Sequence, residues 1–211
     1  MAPLVTLAQL AVESFVRKGR MISVPENLPQ EFLKKKAGTF VTIKKAGSLR
    51  GCIGTYLPTK ENIAKEIIQN AIAAATEDYR FGPIQKEELS SLSYTVYILS
   101  RPELINPHAT KRIISFLRRR RQSSFSVGVK DISELNPKKY GIIVKTTPIN
   151  FLKRGDVVFN GSLPYKSGLL LPDLEGIETS DQQILIACQK GGIDPIRENI
   201  IIYKFEVEKY K

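Results

Sequence analysis

Residues Thr39–Leu57, "TFVTIKKAGSLRGCIGTYL", hold two runs rich in β-branched and aromatic residues on either side of "KAGS". A tight turn between two strands needs a positive φ, which glycine adopts without penalty, so Gly47 marks the tip of a β-hairpin. The second run is unusual for a strand. It carries Arg50, the glycines Gly51 and Gly54, and Cys52, one of only two cysteines in the chain. Because side chains alternate along a strand, Arg50, Cys52 and Gly54 are expected on one face, with Leu49, Gly51 and Ile53 on the other. At about 3.3 Å per residue Arg50 and Cys52 are then neighbours, close enough for the guanidinium to favour a thiolate. Gly51 and Gly54 weaken a strand and mark places where a ligand or another backbone approaches closely. Two readings stay open. In one, Arg50 and Cys52 are catalytic candidates, with Gly51 and Gly54 binding the substrate. In the other, Cys52 is a small buried hydrophobe and Arg50 pairs with a carboxylate such as Glu77 or Asp78.

Outward from the hairpin, Glu61–Thr76 places Ile63, Ala64, Ile67, Ile68, Ala71, Ile72 and Ala75 on one helical face. Leu92, Tyr94, Val96 and Ile98 then alternate with polar residues as a half-buried strand. "YGIIVK", "DVVFN" and "SGLLLP" read as short strands. "TSDQQILIACQKGG" is a helix, with Ser180 and Gln183 at capping-box spacing and Gly191 suited to a left-handed stop. Ile201, Tyr203, Phe205 and Val207 alternate in a closing strand. At the front, Leu4, Leu7, Ala8, Ala11 and Phe15 recur at helical spacing up to Gly19, which predicts an amphipathic helix and not a secretion signal. No internal repeat is apparent. Ile67, Ile68, Ile72, Val96, Ile98, Leu170 and Phe205 are the expected core. Hairpins and helices without regular βαβ alternation define an α+β fold, a mainly antiparallel sheet flanked by helices, with room for a smaller lobe.

The 211 residues are 42% hydrophobic, enough for one domain spanning residues 1–211 that folds without a staple. Cys52, Cys188 and the only histidine, His108, have no metal-ligand spacing, so neither metal nor cofactor is expected. Cys188 lies on the apolar side of its helix, a core position. No apolar run is long enough to cross a membrane, and two cysteines fit a cytoplasmic protein. The net charge of +11 is concentrated: seven basic residues and no acidic ones lie between His108 and Lys130, including Arg118, Arg119, Arg120 and Arg121. Those four arginines are candidates for binding RNA or another polyanion; the alternative is a solvated loop.

"LRGCIGTY" resembles the signature of the AMMECR family, named after the Alport syndrome, mental retardation, midface hypoplasia and elliptocytosis chromosomal region. "NAIAAATEDYRFGPIQKEEL" resembles the family's helix, its D-x-R-F-x-P turn and its acidic E-E-L; "GLLLPDLEG", "CQKGGI" and "IIYKFEVEKY" resemble its later blocks. The resemblance implies an α+β fold with a smaller lobe, and selects Leu49, Arg50, Gly51, Cys52, Ile53 and Gly54 as the functional motif. It implies no settled reaction. It also implies a three-part system with a Memo-type protein and a radical-SAM enzyme as partners. Residues 103–130, which include the basic run, and 146–165 stand outside the family pattern as inserted loops. The expected function is therefore a small or peptide-like substrate bound at LRGCIG; the alternatives are an RNA-binding module and a non-catalytic accessory subunit.

Overall fold

The computed structural model describes residues 2–105, 135–147 and 166–211. The chain divides into two compact units, Met1–Arg101 with Val207–Lys211, and Pro102–Glu206. Each has its own apolar core and its own four-stranded antiparallel sheet. The α+β class holds, with the strands shared between two sheets.

In the first unit, helix α1 (Pro3–Lys18) has proline in its first turn and ends at Gly19, whose φ of 64° closes the helix in the left-handed region. A short helix α2 (Gln30–Lys34) leads into strands β1 (Thr39–Lys45) and β2 (Ser48–Thr55). The turn joining them has positive φ at both Ala46 and Gly47, the pattern of a type I′ hairpin, so the glycine alone is not what makes the turn. Helix α3 (Ile63–Thr76) starts where the Asn62 side chain accepts the amide hydrogen of Lys65. A 3₁₀ turn, Lys86–Ser91, precedes β3 (Leu92–Leu99), and β8 (Val207–Tyr210) completes the sheet in the order β2-β1-β3-β8. α1 and α3 pack together, and their apolar faces bury Leu4, Leu7, Ile67 and Ile68 with Val41, Ile43 and Val96 beneath them. Each such side chain contributes roughly 1.5–3 kcal/mol when fully buried.

The second unit contains β4 (Glu103–Leu104), β5 (Gly141–Thr146), β6 (Ser167–Leu170), helix α4 (Ser180–Lys190) and β7 (Ile200–Phe205), with sheet order β4-β7-β5-β6. A repeat invisible in the sequence now emerges. In both units an antiparallel strand pair is followed by a helix and then by a third strand that pairs with the first, while a fourth strand closes the far side. The outer strand of each pair meets its helix through a glycine. A Cβ on Gly51 would stand 2.1 Å from the Ala74 carbonyl oxygen of α3, and one on Gly168 only 1.7 Å from that of Ala187 in α4. The repeat is one of topology and close approach; the apolar sequences differ.

All seven expected core residues are buried. Several local expectations are corrected. The capping box of α4 is formed by Thr179 and Gln182, one residue earlier than Ser180 and Gln183, because Thr179 is the residue with extended backbone. Gly191 has a right-handed φ of −86° and Gly192 is the left-handed residue; Gly191 is small because a Cβ there would meet the backbone of Ser167 and Gly168. The closing segment is two strands in two sheets, and in β7 the buried residues are Ile200, Ile202 and Phe205, so the expected phase fails at Ile201 and Tyr203. Glu103 and Leu104 belong to β4, and Ile105 to the second core. "DVVFN", His108, Arg118–Arg121 and most of residues 103–130 and 146–165 lie outside the described residues.

Candidate functional site

Among the described residues β2 is the outermost strand of the first sheet, and three carboxylates pin it along its length. At its start the register against β1 slips: Gly51 pairs with Ile43 and Leu49 with Lys44, leaving Arg50 as the extra residue of a bulge. A bulge re-aims its side chain. Arg50 Nε and Nη2 donate to the two oxygens of Glu88 at 3.0 and 2.9 Å, and its Nη1 and Nη2 donate to the Gly82 and Pro83 carbonyls at 2.8 and 3.3 Å. Lys45 adds a bond to the same carboxylate at 3.0 Å. Arg50 therefore ties β2 to the turn after α3. Arg50 thus pairs with a carboxylate, as one of the two readings expected, and that carboxylate is Glu88 in place of Glu77 or Asp78; the bulge interrupts the simple alternation from which a shared Arg50–Cys52 face was expected.

In the middle of β2, Cys52 donates its amide hydrogen to Asp78 Oδ2 at 2.9 Å. Asp78 is 4% exposed and takes a two-pronged bond from Arg80, Nε to Oδ1 at 2.9 Å and Nη2 to Oδ2 at 2.7 Å. The Arg80 hydrogen bond is the main reason that the Asp78 carboxyl is held down at about 2. Arg80 Nη2 also approaches the Cys52 carbonyl at 3.5 Å, and its guanidinium lies over the Phe81 ring. The hydrogen bond to Asp78 raises the Arg80 pKa. The cation beside the Cys52 backbone is thus Arg80. The Cys52 side chain itself is half-buried, with Sγ 3.2 Å from Thr42 Oγ1 on β1.

At the far end, Thr55 Oγ1 donates at 2.6 Å to Glu66, a carboxylate on α3 that is 1% exposed. Burial opposes its charge, but the Thr55 and Thr59 hydroxyls and the amides of Thr59 and Lys60 outweigh that and lower its pKa. Asn70 bridges Thr55 and Thr39 beside it. The glycines serve the same packing: Gly51 admits α3, and a Cβ on Gly54 would stand 2.3 Å from the Phe40 ring. Both close approaches are made by the protein itself.

The arrangement places the Arg80 cation against the backbone of Cys52 along the outer edge of β2. Reading the motif alone missed Arg80, Glu88, Thr42 and Glu66. The Asp78-x-Arg80 spacing straight after the helix was the available signal for the first. Cys188 is 1% exposed, and burial pushes its thiol up to about 11. Among the described residues there is no group of three or more side chains suited to a metal, and no helix is long and apolar enough to cross a membrane.

A two-unit α+β protein with a carboxylate-pinned Leu-Arg-Gly-Cys-Ile-Gly edge strand is thereby defined. The chain belongs to the AMMECR1 family, whose profile matches residues 5–210. It is 43% identical to a Thermotoga maritima protein over 99% of this chain and 97% of that one. A Clostridium acetobutylicum protein is 37% identical over 99% of this chain, which spans only 36% of that longer relative. The crystal structure of the uncharacterized protein PH0010 from Pyrococcus horikoshii is similar at a TM-score of 0.71 and 28% identity, covering 98% of this chain and 88% of that one.

Proposed function

We propose that the edge of β2 binds an anionic small or peptide-like ligand, with Arg80 holding the anion and Cys52 presenting its thiol to the bound molecule as a nucleophile. The observation that carries this reading is the double grip of Asp78, which fixes both the Cys52 amide and the Arg80 guanidinium and so holds thiol-bearing strand and cation in one unit. Arg80 is 45% exposed at its side chain, and its Nη1 makes no hydrogen bond among the described residues, so it retains donors for a ligand. In this scheme Arg50 and Glu88 position the strand, and Gly51 and Gly54 let it sit against α3 and Phe40. The Memo-type and radical-SAM partners belong to the same proposal, as sources or users of the ligand. Binding of RNA or a polyanion through Arg118–Arg121 would rest on residues outside the described ones.

Alkylation tests the site. Neutral iodoacetamide should modify Cys52 in the folded protein and leave Cys188 untouched until unfolding. Negatively charged iodoacetate should gain on iodoacetamide at Cys52, and Arg80→Gln should lower that ratio roughly severalfold, as expected for one nearby screened charge. Thermal unfolding of each variant separates steering from loss of fold. A Cys52 that stays inert until denaturation, or a ratio indifferent to Arg80 in a folded variant, overturns the proposal.

A further inference from the structure

The ligand class follows from the backbone beside the thiol. Because the Cys52 amide reaches Asp78, its backbone groups point away from β1, and in an antiparallel pair those of Gly54, two residues on, must do the same. At Cys52 this outward edge is already filled: the Asp78 carboxylate takes the amide hydrogen and Arg80 approaches the carbonyl, as a neighbouring strand's peptide groups would. At Gly54 it is not. No hydrogen bond to a backbone group of Gly54 forms outside the β1–β2 ladder among the described residues, and the residue has no side chain to obstruct an approaching chain. Gly54 remains partly exposed. The Phe40 ring closes the space above it on one face, so access is from the edge.

Resting on the site proposed above, we infer that this edge binds the carboxyl terminus of an extended peptide, its terminal carboxylate on Arg80 and the C=O and N–H of the residue two before the terminus paired with the N–H and C=O of Gly54. The spacing fits. Alternate residues of a strand are about 6–7 Å apart, so a chain anchored at the level of Cys52 presents its next outward-facing peptide group at Gly54. Main-chain pairing at a sheet edge supplies affinity independent of side chains, and the cation selects for a chain end. Asp78 and Arg80 then have two tasks, blocking the edge against indefinite strand addition and reading the terminus.

The test uses the full-length protein and dansyl-Gly-Ala-Ala-Ala peptides followed by fluorescence anisotropy. The free acid should saturate in the millimolar range. The carboxyl-terminal amide should bind about tenfold more weakly or worse, the loss expected for one charge-assisted hydrogen bond. N-methylation of the amide two residues before the terminus should weaken the acid similarly, and Arg80→Gln should make acid and amide alike. Acid and amide binding equally well to the wild-type protein, indifference to N-methylation, displacement by acetate as effective as by the peptide acid, or no saturation up to about 100 mM would each overturn the inference. Peptide binding with an inert Cys52 would keep this inference and remove the nucleophile; iodoacetate steering without peptide binding would do the reverse.

Discussion

Asp78 accepts the amide hydrogen of Cys52 at 2.9 Å from the open side of β2, where a further strand of the sheet would offer its carbonyl. The carboxylate can hold that place because Arg80 neutralises it with two hydrogen bonds. An edge strand is a template for unwanted pairing, and a charged side chain on the edge is a common defence. Here the defence also puts a cation next to the Cys52 carbonyl.

Asp78→Ala should destabilise the first unit by about 1–3 kcal/mol, because it leaves Arg80 and the Cys52 amide without their shared acceptor. Urea unfolding gives the loss. Iodoacetamide should also modify Cys52 faster in this variant, since the strand loses its central pin.

Arg50→Lys should behave as a damaging substitution despite its retained charge. A lysine cannot reproduce the fork to Glu88 together with the bonds to the Gly82 and Pro83 carbonyls. A double-mutant cycle with Glu88→Gln should return a coupling of about 1–3 kcal/mol, and a coupling near zero would refute the clamp.

Acid should loosen the first unit through Asp78 and Glu88. Hydrogen bonds from Arg80 and Arg50 respectively are the main causes that hold both carboxyls down at about 2. Their folded values lie below ordinary carboxylate values of about 4, so the folded state binds fewer protons than the unfolded one in this range. The stabilisation is complete above about pH 4.5 and is lost as the pH falls toward 2. Denaturant titrations across that window should show stability rising with pH, less steeply in Glu88→Gln.

Gly51→Ala and Gly168→Ala should each cost about 1–3 kcal/mol or prevent folding, since the added carbon would overlap a helix carbonyl. Gly82→Ala, where a Cβ would meet nothing within 4 Å, should stay within about 0.5 kcal/mol of wild type. Equal tolerance at all three positions in thermal unfolding would contradict the close approach.

Repeating patterns in the amino-acid order were enough to locate α1, α3, β1 to β3 and the hairpin, because the period of burial is a local property that each element carries in its own residues. The same reasoning put Ile67, Val96, Leu170 and Cys188 in the core. It also singled out β2 by its arginine, its cysteine and its two glycines. The partners of that strand were not legible. The bulge at Arg50 depends on how β2 registers against β1, and that register exists only once the strands have paired. Glu88 meets Arg50 across 38 positions of the chain, and Asp78 meets Cys52 across 26. Several carboxylates of equal chemistry competed for each role, and only the folded path of the turn after α3 chose between them. The division of the closing segment into β7 and β8, and the topology shared by the two units, were likewise decided by pairing between distant strands, for which local periodicity carries no information.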